Sequence, residues 1–187
     1  MLSCLPIDFH RTHLIVWNNA ESIVAFFAGN SVINYTLPMP LLVTSTSISL
    51  YFKTWGTDAV IAYLGDPVAL SDYLRIALVS GRVSCSFNAG GGPTTVASSL
   101  NVADGVWHSV LLTLSSTGLS LQLDNTSRLT SPNAFPTFTL LAVQSTLTLG
   151  ASSNSSQGRF FNGALRSVKF DDVELVATAA TGSSHIV

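Results

Sequence analysis

Asp104-Gly-Val-Trp-His-Ser-Val-Leu-Leu-Thr-Leu-Ser-Ser-Thr-Gly-Leu-Ser-Leu-Gln-Leu-Asp124 is the stretch on which the fold turns. Val110, Leu112 and Leu114 point one way; Ser109, Leu111 and Thr113 point the other. After a turn at Ser116-Thr117-Gly118, Leu119, Leu121 and Leu123 alternate with Ser120 and Gln122. A repeat of two is the side-chain period of a strand, so the stretch predicts a β-hairpin with one strongly apolar face. Asp104-Gly105 makes the turn before it, and Trp107 and His108 open its first strand.

The same alternation recurs on both sides. Ile48, Leu50 and Phe52 alternate with Ser49, Tyr51 and Lys53; Leu74, Ile76 and Leu78 oppose Tyr73, Arg75 and Ala77; Val83, Cys85 and Phe87 share a face. Ile23 to Ala28, Val32 to Leu37, Ala59 to Leu64, Thr146 to Gly150, Arg159 to Phe170 and Val173 to Val176 also read as strands. Residues 125–145 are loosely patterned. No stretch reads as an amphipathic helix. Many short strands with frequent turns predict an all-β chain: an antiparallel two-sheet β-sandwich, with a jelly roll favoured over the seven-strand immunoglobulin plan. The reading divides the chain into a connecting segment at 1–21, one domain at 22–178 and a tail at 179–187. Within the first segment, Leu14 to Trp17 is a candidate extra strand.

Composition removes several function classes. The chain has 187 residues, 47% of them hydrophobic and only 10% charged, with a net charge of −2. Mean hydropathy is +0.45, yet no apolar run approaches the roughly 18 residues of a helical membrane span. The eight Lys and Arg residues are scattered, which argues against nucleic acid and makes heparin an improbable ligand. Ala89-Gly90-Gly91-Gly92-Pro93 leads into a strand pattern and lacks the Lys-Ser/Thr and helix of a phosphate loop. Cys4, His10 and His13 are too few for a metal site. Cys85 reads as a core thiol; a Cys4–Cys85 bridge is open. Asn34, Asn125 and Asn154 head N-glycosylation sequons. Asp8, His10 and Arg11 interrupt any signal-peptide core, so an extracellular protein of this sequence is expected to be a piece of a longer chain.

Taken in order, several pieces resemble the laminin G-like domain. They are Ile48-Ser-Leu-Tyr-Phe-Lys-Thr-Trp55, Ala59-Val-Ile-Ala-Tyr-Leu-Gly-Asp66, Asp72-Tyr-Leu-Arg-Ile-Ala-Leu-Val-Ser-Gly-Arg-Val83 and Asp104-Gly-Val-Trp-His-Ser-Val110. Leu119-Ser-Leu-Gln-Leu-Asp124, Leu147-Thr-Leu-Gly150 and Phe161-Asn-Gly-Ala-Leu-Arg-Ser-Val168 follow. The resemblance implies a concanavalin A-like sandwich outside the cell, often beside EGF-like modules. It implies a domain that binds extracellular proteins or glycans and is not an enzyme. Ala164 stands where the family usually has a cysteine, so its late disulfide is not expected. Where the family binds Ca²⁺, the resemblance puts one ligand at Asp72 and another at the Ala89 carbonyl. The remaining position falls near Ala142, which offers a carbonyl but no side-chain oxygen. Calcium takes about six to eight oxygens with anionic help, so the implied Ca²⁺ site is incomplete unless Asp66 folds over it. The plain alternative has Asp72 merely opening a strand.

Other residues invite sharper readings. Trp107 and His108 suggest catalysis, but a packed tryptophan and a structural histidine are expected. Trp55 and Tyr63 suggest a sugar-stacking surface; core or rim is the commoner place for such aromatics. A jelly-roll glycosidase needs two carboxylates facing one cleft. Glu21 and Glu174 are far apart, and Asp171-Asp172, if on a strand, would point to opposite sides. A calcium-dependent lectin would use a rim with an acid, an amide and an aromatic. Asp66, Asp72, Tyr73 and Asn88 are the candidates.

Overall fold

The structure, a computed structural model, describes residues 7–8, 15–19, 22–36, 45–65, 72–89, 92–126, 128–132, 146–152 and 159–175. The strands among them are β1 (Ile7–Asp8), β2 (Ile15–Asn19), β3 (Ser22–Ala28), β4 (Ile33–Thr36), β5 (Ser45–Lys53), β6 (Ala59–Gly65), β7 (Asp72–Val79) and β8 (Arg82–Ala89). Then come β9 (Thr94–Asn101), β10 (His108–Ser115), β11 (Gly118–Leu123), β12 (Leu129–Pro132), β13 (Thr146–Leu149), β14 (Asn162–Phe170) and β15 (Val173–Glu174). They form two sheets. The first runs β1-β4-β13-β6-β7-β8-β9, and the second runs β12-β11-β10-β5-β14-β3-β2 with β15 paired onto β14. Every pairing of named strands is antiparallel.

The hairpin of residues 104–124 lies in the second sheet. Val110 pairs with Leu123, Leu112 with Leu121 and Leu114 with Leu119, and all six side chains are buried. On β5, Ile48, Leu50 and Phe52 extend that face; Leu74, Ile76, Leu78, Val83, Cys85 and Phe87 oppose it from the first sheet. Each such side chain contributes about 1.5–3 kcal/mol by leaving water, which is why the inward parity is strict. Tyr35 is fully buried, and its hydroxyl donates to the Leu175 carbonyl at 3.0 Å. That bond ties β4 of one sheet to the end of β15, whose partner β14 belongs to the other. Burial pushes the Cys85 thiol far above its ordinary range. Among the described residues it has no disulfide partner. In a Cys4→Ser chain, a thiol reagent is therefore expected to modify Cys85 only after denaturation, since the thiolate is the reactive form. Native-state labelling at the rate of a free thiol would contradict the packing.

The structure departs from the sequence reading at four places. The hairpin turn is tighter, because Ser115 pairs with Gly118 and leaves only two residues between. The loosely patterned 125–145 contains β12, a short polar edge strand whose Leu129 is 39% exposed. It shows no alternation because neither of its faces is buried. In residues 1–21, β2 answers to the candidate strand at Leu14 to Trp17 and forms a hairpin with β3, whereas β1, paired with β4, was not read from sequence. Asp171-Asp172 sit in the β14–β15 turn rather than on a strand, with Asp171 at φ +51°. The Asp171 carboxylate accepts the Ser47 N–H at 2.7 Å, so it ties the turn to β5.

Candidate functional site

Antiparallel register aligns five strand ends of the first sheet. Thr36 faces Thr146, Thr146 faces Gly65, Gly65 faces Tyr73, and Tyr73 faces Asn88. Asp72 and Ala89 pair one step beyond that line, at the rim itself. The outward side chains behind the rim form a polar-aromatic row. The Tyr63 and Tyr73 rings stack at 5.9 Å, and the Arg75 guanidinium lies 5.7 Å from the Tyr73 centroid. Arg75 Nε donates to Ser86 Oγ at 3.2 Å. Asn88 Oδ1 accepts the Gly92 N–H at 3.1 Å, which fixes the start of β9. Gly65 is required where Tyr63 folds back: a Cβ there would sit 2.9 Å from the Tyr63 ring and 2.8 Å from the Asp72 carbonyl.

Of the residues singled out from sequence, Asp72, Tyr73, Asn88 and Ala89 therefore converge on one rim. Asp66, Ala142 and Asn154 lie outside the described residues. Trp55 and Tyr63 do not meet as a stacking surface. Tyr63 is fully buried, whereas Trp55 is 75% exposed in the β5–β6 connection at the opposite end. The calcium reading is short of ligands on what is described. Asp72 and Ala89, which offer one carboxylate and one carbonyl, pair at the rim, and the described residues include no group of three or more His, Cys, Asp and Glu able to hold a metal ion. That donor set alone does not fit the ion's demand for about six to eight oxygens.

His108 lies at the other end of the sandwich. Its Nδ1 bonds Asp124 Oδ2 at 2.6 Å and its Nε2 bonds Asp104 Oδ1 at 3.1 Å. The ring is 6% exposed and packs against Phe52, centroids 5.7 Å apart. Burial, the largest single influence, works against its charge, but the hydrogen bonds and charges of Asp124 and Asp104 outweigh it and raise its pKa. Both ring nitrogens are engaged by carboxylates, so neither is available to activate a nucleophile. This is the structural histidine expected from sequence. Trp107 beside it is half-buried, with the Arg166 guanidinium 4.5 Å from its ring centroid.

The family profile described as Laminin G domain matches residues 52–173. The chain belongs to the laminin G domain family. Human neurexin-3-beta is 24% identical to this laminin G domain over 186 residues, covering 97% of the chain and 29% of that protein. Human laminin subunit alpha-1 is 31% identical over 83 residues, 44% of the chain and 2% of its own length. Among solved structures, the LG1-3 region of the laminin alpha2 chain superposes with a TM-score of 0.72 at 20% identity, covering 81% of this chain and 31% of that one. Mouse laminin alpha1 chain, domains LG4-5, gives 0.68 at 18% identity, covering 89% and 47%. These likenesses establish the jelly-roll sandwich. The chain spans less than a third of the neurexin it matches. Laminin G domains are non-enzymatic binding modules of adhesion and matrix proteins, and this chain is one of them.

Two sequons fall on described residues. Asn34 points outward from β4, since its neighbour Tyr35 points into the core. Asn125 is exposed in the turn after β11 at φ +56°. The parity of β3 and β5 also turns Phe26, Tyr51 and Lys53 outward. Sequence reasoning had not singled out Phe26 and Lys53 as a surface, although alternation with Ala25, Phe27 and Phe52 carried the signal.

Proposed function

We propose that this laminin G domain is an extracellular binding module that takes a protein or glycan ligand at the rim of Asp72, Tyr73, Asn88 and Ala89. The carrying observation is the register that places an acid, an aromatic and an amide on adjacent strand ends. Rim loops on a rigid two-sheet frame are where such a scaffold binds without disturbing its core. A calcium-dependent lectin is the second reading, favoured by the Asp72–Ala89 pairing. The two separate in one thermal-melt series. A bound ion raises the melting temperature by mass action on the native state. The lectin reading therefore expects millimolar calcium to raise it, a chelator to reverse the rise, and Asp72→Asn to remove it. No shift retires calcium. Ligand capture that survives chelation but is lost in Tyr73→Ala and Asn88→Ala supports the metal-free reading; capture indifferent to all three substitutions ends the rim assignment.

A further inference from the structure

We propose that the outer face of the second sheet holds a separate binding site, which takes an extended peptide segment with an apolar side chain beside a carboxylate. Register builds it. Ala164 pairs with both Lys53 and Phe26, and Arg166 pairs with both Tyr51 and Val24. Two rows of outward side chains thus lie side by side. At the open end of these rows, Phe26, Trp55 and Trp107 enclose a groove of about 710 Å³ over a floor of Gly56, Gly163 and Ala164. Small floor residues and aromatic walls make a slot for an apolar side chain.

The slot is pre-formed. Trp55 is 75% exposed and Phe26 42%, but Trp55 is not loose. Its indole covers Gly105, whose φ of +75° and lack of room for a Cβ leave only glycine there. The Gly105 N–H donates to the Thr54 carbonyl at 2.9 Å. Thr54 Oγ1 accepts from the Gly56 N–H at 2.9 Å and donates to the Asn162 carbonyl at 2.6 Å. A large aromatic held with one face free loses little freedom on binding, and Trp, Tyr and Arg carry most of the energy at protein interfaces.

Charge selects the rest of the ligand. Lys53 lines the groove and no Asp or Glu does. The Arg166 guanidinium sits 4.5 Å from the Trp107 centroid and 5.2 Å from that of Tyr51. Its buried Nε has no hydrogen-bond partner. Among the described residues no carboxylate pairs with Arg166 or Lys53. Two cations without anions beside an apolar slot call for a carboxylate flanking an apolar group. A sugar fits less well, because Lys53 and Asn162 are nearly all the free polar side chain the lining offers.

The test applies the whole chain to immobilised short peptides with a central proline, leucine or phenylalanine, flanked by glutamates, lysines or serines. An array of sulfated and sialylated oligosaccharides is run beside it. Capture by the glutamate-flanked set is expected. Trp55→Ala should weaken it by about tenfold or more, Lys53→Glu should shift preference to the lysine-flanked set, and Asp72→Asn should change nothing. Melting curves check that the variants fold. If Trp55→Ala does not, Phe26→Ser at another exposed position carries the same prediction. Absence of capture, capture equal across the three sets, capture unmoved by the groove substitutions, or capture by oligosaccharides alone overturns the proposal. Loss of capture in Asp72→Asn alone assigns binding to the rim and also overturns it.

Discussion

Gly150→Ala is expected to destabilise the domain by about 3 kcal/mol and to lower its melting temperature by roughly 10 °C. Gly150 follows β13 at φ +90°, where a side chain is strained in any surroundings. Here the surroundings add a second penalty. A Cβ would stand 2.5 Å from Phe27 Cδ1 and 2.7 Å from the Ser31 carbonyl oxygen. The ring cannot swing away easily, since it meets Phe161 edge-on with centroids 5.8 Å apart. The other neighbour is backbone. Nor can residue 150 retreat, because its N–H donates to Ile61 at 2.9 Å and its carbonyl accepts from Phe161 at 2.7 Å. Gly92→Ala is the control. Gly92 also has a positive φ, +103°, but nothing lies within 4 Å of a Cβ there. Its loss should be limited to the backbone part, about 1–2 kcal/mol. Equal losses in the two variants would show that strain alone matters and that the Phe27–Ser31 contact yields.

The contrast between those two glycines bears on what a sequence displays. Inward parity was legible: Val110, Leu112, Leu114, Ile48, Leu50 and Phe52 are buried as their alternation requires, because a one-residue slip would expose every one of them. Asp72 and Ala89 were marked by the family resemblance and not by parity, and it is the register of β7 with β8 that sets them beside Tyr73 and Asn88. What alternation cannot give is which outward residues are covered. Tyr63 and Trp55 read alike from sequence, yet one is fully buried and the other 75% exposed. That depends on a neighbouring strand, which sets the Tyr73 ring against Tyr63. β12 escaped because an edge strand with both faces wet has no apolar period. Arg166 was read as scattered charge, and only the pairing of β14 with β5 sets it over Tyr51. Chemistry that depends on neighbours along one strand was readable; chemistry assembled across strands needed the register.

Asp124→Ala is expected to destabilise the domain by about 2–4 kcal/mol, with an effect that depends on pH. Asp124 Oδ1 accepts the Ser109 N–H at 2.7 Å, and Oδ2 holds His108 Nδ1 at 2.6 Å. Removing it strands a backbone donor and a buried ring nitrogen, each worth about 1–3 kcal/mol when left unsatisfied. It also puts alanine at φ +49°. His108 has a higher pKa in the folded chain than the ordinary 6.5, so the folded state binds its proton more tightly than the unfolded state does. The stabilisation from that proton is complete below about pH 6.5 and drains away as pH rises through the folded-state value. Asp104 runs the other way. Its carboxyl is held below the ordinary 3.8, first by the Val106 N–H and then by His108, so its share is present above that value and fades as pH falls through the lowered one. Urea midpoints of the parent chain should therefore decline on the alkaline side of pH 6.5. His108→Gln should flatten that limb while leaving the acid limb in part. Asp124→Asn, which tolerates the positive φ and can still accept from Ser109, should lose less than Asp124→Ala yet also flatten the alkaline limb. An alkaline decline that persists undiminished in His108→Gln would assign the titration to another group and leave the Asp104–His108–Asp124 bridge without a part in the pH dependence.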